Sequence, residues 1–352
     1  MKKQQGLSLI ELMIAITLGL ILVTGVLQVF LSSKTVYTTQ QALSRIQETG
    51  RLAIDFLTRD IRMAGYMGCA SRSSEMQITN TLNNSANYQY DFATAIRGYT
   101  AAALPANHGL SPLPKADTDF FVLRGAYGSG VQVSQNNDSG QVFVTLTGTE
   151  VGGCTDGSNR VSGLCQGDIL VVTDCTKARI FQATNVTASG TNTNVVHSGA
   201  SFTPGNAVTS WGGNSGNDNE TFRPGAELLS ATNITYFIGT GTSGRPSLWQ
   251  NLNGNNLELL EGVEDMSVRY GVDSNGDYVP ENYLAAGSIA AADWQKVVAL
   301  RVELLVSSID DGVLPEMQTY SFEGANNVSP NPVDRRLRQV FTSTVGIRSR
   351  SF

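Results

Sequence analysis

From Leu7 to Leu31 the only charged residue is Glu11. As a helix rising ~1.5 Å per residue, this run is about 37 Å long, more than a ~30 Å hydrocarbon core requires. A membrane helix at the N-terminal end is therefore the first constraint on the fold. Lys2 and Lys3 precede the run and a large polar remainder follows it. The positive-inside bias then leaves the N-terminus cytoplasmic and carries everything after Leu31 across the membrane. Val29-Phe30-Leu31-Ser32-Ser33-Lys34 offers no small-residue cleavage pattern after the apolar core, so the helix is expected to stay on the mature protein.

Glu11 is what a simple anchor leaves unexplained, because an acid in an apolar segment costs on the order of 1–3 kcal/mol even toward one end. Gly6 followed by Leu7, Ser8, Leu9, Ile10 and Glu11 resembles the type III signal of type IV prepilins. The resemblance implies that a prepilin peptidase cuts between Gly6 and Leu7, that Leu7 becomes an N-methylated terminus, and that Glu11 is an assembly residue. Many members carry Phe where Leu7 stands; the apolar character is kept. A new ammonium at Leu7 is a strong partner for a carboxylate in low dielectric, in the same chain or in a neighbouring subunit. The bland alternative is an ordinary signal anchor with a stray acid.

No proline or turn cluster interrupts Ser32 to Ala64, so the helix is expected to continue. Leu43, Ile46, Gly50, Ala53, Leu57, Ile61 and Ala64 form one apolar stripe, while Arg45, Glu48, Arg51, Asp55, Arg59 and Arg62 lie largely elsewhere. That pattern predicts an amphipathic second half, over residues 32–66, packed on a sheet and ending near Gly65. The expected organisation is a leader over 1–6, a membrane or fibre-core helix over 7–31, this amphipathic helix, and a β-rich extracytoplasmic domain over 67–352.

With 36 glycines and only 15% charged residues, the remainder reads as loop-rich β structure. Strands are expected at Asp119–Arg124, Val131–Val133, Gln141–Thr147 and in a hairpin of Asp168–Thr173 with Ala178–Val186. A second block runs through Ala231–Ile238, Pro246–Gln250, Leu257–Leu260, Asp265–Tyr270, Lys296–Ser307 and Gln339–Arg348. In Lys296–Ser307, Val298, Leu300, Val302, Leu304 and Val306 alternate with Arg301 and Glu303, a half-buried pattern. Residues 187–219, dominated by Ser, Gly, Asn and Thr, read as an exposed insertion. The fold class is α+β, a long N-terminal helix on an antiparallel sheet domain.

The formal charge is −6, and loss of the two leader lysines makes it more negative, which argues against a nucleic-acid partner. Arg335, Arg336, Arg338, Arg348 and Arg350 crowd the C-terminal end against the single acid Asp334; a solvated strand face is the simpler reading and a docking patch the other. Cys69, Cys154, Cys165 and Cys175 all follow the membrane helix. In an oxidising space they read as two disulfides with three connectivities. The pairing expected is Cys154 with Cys165, closing a local Gly-rich loop, and Cys69 with Cys175, tying the helix end to the sheet, though spacing leaves the choice open. With no C-x-x-C and two histidines in loop-like sequence, zinc is not expected.

Asp273, Asn275 and Asp277 match the start of a calcium loop, and Glu281 adds an oxygen; Tyr278 and Leu284 stand where such a loop has Gly and Glu. The alternative is a metal-free hairpin turn on Asn275-Gly276. Gly239-x-Gly241-x-x-Gly244 is followed by Arg245-Pro246-Ser247, which cannot open a helix for phosphate, so it reads as a turn. No constellation of catalytic residues stands out, and no enzyme is expected.

Leu43–Glu48, Arg59–Tyr66, Gly68-Cys69, Glu261–Met266, Tyr270–Asp273, Trp294–Leu305 and Arg335–Arg350 are similar to the PilW family of minor pilins. The resemblance implies a low-copy subunit held in the bacterial inner membrane with its C-terminal domain periplasmic, then carried to the pilus at the cell surface. It implies as partners other minor pilins, the major pilin, a large tip adhesin, the prepilin peptidase and the inner-membrane assembly platform, in a complex that primes pilus assembly. The rival readings are a pseudopilin of a type II secretion system and a membrane-tethered calcium- or ligand-binding module.

Overall fold

The structure is a computed structural model of the chain and describes residues 8–68, 77–198, 202–213 and 220–350. Helix α1 runs unbroken over Leu9–Met63, 55 residues, about 82 Å at ~1.5 Å per residue. Ser8 is its N-cap, and its hydroxyl accepts the Glu11 backbone N–H at 3.2 Å. Glu11 therefore lies in the first turn, where the helix dipole favours an acid. At the other end Gly65 takes a φ of +73° and donates its N–H to the Arg124 carbonyl at 2.7 Å. A Cβ at Gly65 would meet Ala95 Cβ at 3.0 Å, so the chain turns into the sheet at a position that needs glycine.

Ten strands follow in the first block: β1 (Gln77–Asn80), β2 (Ile96–Thr100), β3 (Asp119–Gln135), β4 (Gln141–Thr145), β5 (Thr149–Glu150), β6 (Arg160–Val161), β7 (Ile169–Thr173), β8 (Lys177–Gln182), β9 (Asn185–Ser189) and β10 (Asn192–Val196). The second block holds β11 (Glu227–Thr240), β12 (Pro246–Leu252), β13 (Asn255–Glu261), β14 (Val263–Val272), β15 (Asn282–Leu284), β16 (Val297–Ser307), β17 (Tyr320–Phe322), β18 (Ala325–Val328) and β19 (Arg338–Gly346). The main sheet runs β1-β8-β7-β11-β3-β4-β10-β9, with β12 and β13 beside β11 and β2 beside β3. A smaller sheet runs β15-β14-β16-β19. Pairing is antiparallel except between β1 and β8.

Of three hydrophobic cores among the described residues, one gathers Met67, Leu82, Phe92, Ile180 and Leu229, and the other two sit at opposite ends of the long strands β3 and β11. In the first of these two, Ile46, Ala53, Leu57 and Ile61 of α1 meet Phe121, Tyr236 and Ile238 of the main sheet and Met266, Leu300 and Leu304 of the smaller one. The second collects Val133, Val144, Leu170, Phe181, Val195, Trp211 and Phe222. The expected helical stripe is buried from Ile46 to Ala64, whereas Leu43 stays 39% exposed. Gly50 is in the stripe because a Cβ there would overlap the ring of Phe341.

Three expectations are corrected. Asp119–Arg124 and Val131–Val133 are one strand, β3, since Gly125, Gly128 and Gly130 pass through it without ending its pairing with β11. β16 keeps the expected alternation at its middle, where Arg301 is exposed and Glu303 half-buried, but toward its ends the second face is covered too, at Val297, Ala299 and Leu305. The segment 187–219 is not an exposed insertion in its described part: β9 and β10 pair as a hairpin in the main sheet, and Thr193, Val195, His197 and Trp211 are buried. Its polar composition hid an alternation carried by a few large side chains.

His197 is fully buried and stacked on Trp211 at 4.1 Å between centroids. Burial pulls its imidazole down to about pKa 4. The unfolded chain takes up that proton near pH 6.5, so between about pH 6.5 and 4 stability falls as pH is lowered. Thermal melts across this window should show His197→Phe with a flatter pH dependence than the parent; parallel curves would remove His197 from the account.

Candidate functional site

The first half of α1 is the most unusual surface of the molecule. Leu9, Ile10, Leu12, Met13, Ile14, Leu20, Ile21, Leu22, Val26, Phe30 and Leu31 are all more than half exposed. This is the one helix among the described residues that is long and apolar enough to cross a membrane, and its most apolar stretch touches nothing else in the chain. An apolar surface of this extent requires lipid or other helices around it. The domain first grips the helix at Thr39, whose hydroxyl donates to the Val313 carbonyl at 3.2 Å.

From there to Gly65 the helix is fixed by packing and by one polar clamp. Asp60 Oδ2 accepts the Tyr236 hydroxyl at 2.6 Å and Gln250 Nε2 at 3.3 Å, and Gln250 Nε2 also reaches the Tyr236 oxygen at 2.8 Å. Burial, reinforced by the Asp60 carboxylate, raises the Tyr236 pKa, so the phenol remains a donor. The clamp joins α1 to β11 and β12. Sequence reading missed it, since an acid on the polar side of a helix carries no sign of a buried tyrosine 176 positions away.

The C-terminal arginines divide by role. Arg338 is buried and makes two-pronged contacts with both Glu264, at 2.7 and 3.0 Å, and Asp334, at 2.6 and 2.8 Å. Paired this way its charge is compensated where burial alone would be costly. Arg336 donates to the carbonyls of Ser308 and Ile309, holding the loop that reaches Thr39. Arg335 and Arg348 are exposed. The cluster is thus only partly the solvated face expected.

Between β14 and β15, Asp273, Asp277 and Glu281 place carboxylate oxygens within 4.8 Å of one another. Asp273 Oδ1 accepts the N–H groups of Asn275 at 3.1 Å and Gly276 at 2.6 Å, and Oδ2 that of Tyr278 at 2.8 Å. Asn275 Oδ1 accepts from Asp277 N–H, Asp277 Oδ1 from Val279 N–H, and Glu281 Oε2 from Ser274 N–H, each at 2.8 Å. The oxygens suit a hard cation in kind and spacing, yet the backbone already engages all four side chains and closes the loop by itself. Asp273→Ala should therefore lower the melting temperature even with a calcium chelator present; an unchanged melt in chelator would mean that the carboxylate does not hold the turn.

The sequence-derived residues do not converge on one site. Glu11 is in the first turn of α1, far along the helix from the domain, and the Asp273 loop is at a sheet end. Cys154 and Cys165 form a disulfide with Cα atoms 5.7 Å apart, beside the short β5–β6 pair. Cys175, between β7 and β8, is disulfide-bonded too. Gly6, Leu7 and Cys69 lie outside the described residues. Gly241 and Gly244 form the β11–β12 turn, with Gly241 N–H on the Arg245 carbonyl at 2.6 Å.

Residues 235–349 match the family described as Type IV Pilus-assembly protein W, and residues 1–27 match the Prokaryotic N-terminal methylation motif. No curated protein and no solved structure matches. The helix-end motifs at Leu43–Glu48 and Arg59–Cys69 fall outside both spans. What the two spans do cover is the start of the unburied apolar helix and the strands that grip its second half, and over those residues the chain is similar to the PilW family of type IV pilus-assembly proteins and to N-terminally methylated proteins.

Proposed function

We propose that this chain is a minor pilin that primes type IV pilus assembly as part of a complex with other minor pilins at the fibre tip, beneath a large adhesin. The observation that carries the reading is the division of α1: an apolar half that the chain leaves uncovered, joined without a break to a half locked into the domain. Peptidase cleavage between Gly6 and Leu7 frees an amine that is then methylated. The helix waits in the inner membrane with the domain on the periplasmic side. Drawn out by the assembly platform, it exchanges lipid for neighbouring helices at little cost, because both surround it with apolar surface. Glu11 is the one group that gains: among helices it meets the Leu7 ammonium of a neighbour in low dielectric. The domain then selects which pilins stand beside it, major or minor.

Deletion of the chain should abolish surface pili and twitching and leave secretion of folded exoproteins intact. Lost secretion with normal pili would instead identify a pseudopilin, and no change in either would favour a tethered module. Glu11→Val should be cleaved and methylated normally, as read by mass spectrometry of the N-terminus, and should fail to enter sheared pili. Normal incorporation of that variant would end the role given to Glu11.

A further inference from the structure

β19 stands at the end of the smaller sheet, paired with β16 on one side only. The Ile347 N–H donates to Val298 on β16, so by alternation the odd-numbered residues face β16 and the even-numbered ones face outward. At the first outward position the edge is occupied: Gln318 Oε1 accepts the Arg338 N–H at 2.9 Å and Gln318 Nε2 donates to the Arg338 carbonyl at 3.0 Å. A side-chain amide thus imitates a neighbouring strand for one residue and then stops. Val340, Thr342, Thr344 and Gly346 follow with outward N–H and C=O groups that have no partner among the described residues. Thr342, Thr344 and Gly346 are exposed.

Open edges invite pairing, and proteins ordinarily blunt them with charge, proline or brevity. The other edges of the two sheets follow that rule. β13 carries Glu258 and Glu261, and β1, β2, β9 and β15 are five residues or shorter. β19 is nine residues long, and from Gln339 to Ile347 it holds neither a charge nor a proline. The one charge within β19, Arg338, is buried and paired with Glu264 and Asp334, and just past the strand Arg348 is exposed with no ion pair among the described residues.

We propose that the outer edge of β19 binds an extended segment of a partner protein by strand addition, the segment being uncharged over about five residues and acidic at the end that lies beside Arg348. Main-chain bonds to Val340, Thr342, Thr344 and Gly346 supply the pairing, and Arg348, exposed just beyond the uncharged run, selects an acidic flank and fixes the register. That the partner is another pilin rests on the priming reading above; the edge and its chemistry do not.

The test uses the full-length protein in detergent micelles and a labelled peptide, Glu-Thr-Val-Thr-Val-Thr-Glu, followed by fluorescence anisotropy and amide exchange. The peptide should bind and slow exchange at Thr342 and Thr344. Its lysine-ended twin should bind at least tenfold more weakly, and a twin N-methylated at alternate amides should not bind. Thr342→Pro removes an outward N–H without touching the β16 ladder, a place where a sheet tolerates proline, and should abolish binding, while Thr342→Val should keep it. Should Thr342→Pro fail to fold, the N-methylated peptide decides alone. No binding by the parent protein, equal binding by the proline variant, or equal binding of the N-methylated or lysine-ended peptide would overturn the proposal. No pilus is present in this measurement, so its failure is distinct from a failure of the priming role.

Discussion

The structure depends on the close approach of one helix to one strand. Gly50 brings α1 so near to β19 that the Phe341 ring fills the space a Cβ would take. Around that contact Ile46, Ala53, Leu57 and Ile61 are buried, with two small residues among five inward positions. A glycine in a helix interior costs about 1 kcal/mol against alanine. Here the cost is offset by burial of an aromatic ring, at ~25 cal/mol per Å² of apolar surface, against a helix that would otherwise stand off the sheet.

The same helix serves two solvents, and its sequence changes where the solvent changes. Up to Leu31 its apolar residues point in all directions, as lipid or a bundle of helices demands. After Thr39 they collect on one side, as a sheet demands. No cap or kink marks the change within Leu9–Met63. Force or displacement applied to the apolar half is therefore carried along continuous helix into the domain, where the Asp60–Tyr236–Gln250 clamp and the Phe341 contact receive it. A flexible joint at Ser32 would have uncoupled fibre geometry from domain orientation; the absence of proline in this stretch keeps them coupled.

What could be read in advance was whatever has a period or a local rule. The helix, its stripe and its end at Gly65 followed from spacing and one glycine, and most strands of the second block followed from apolar runs between turns. The Cys154–Cys165 disulfide followed from a short loop. Less legible were contacts that join distant positions: Phe341 on Gly50, Tyr236 on Asp60, Arg338 between Glu264 and Asp334. Each needs the fold before it has a meaning. The hairpin β9–β10 was missed for another reason, since Ser, Thr and Asn dominate it and only Val186, Thr193 and Val195 betray its buried side. Charge alone misled at the C-terminal arginines, where Arg338 is the most buried of those whose side chains are described and Arg335 among the exposed.

The second core, around Trp211 and Phe222, lies outside the family-matched spans, yet it is not an independent appendage. β3 and β11 pass from the first core into the second, paired with each other from Phe121–Tyr236 to Gln132–Glu227 with a single bulge at Leu228. A strand pair held at ten positions bends little, and the bulge adds twist rather than a hinge. Surface features of the far end are therefore presented at a fixed angle to α1. A subunit that must take one place in a helical assembly gains from that rigidity, because a contact made at the far end constrains the rotation of the helix as well as its height.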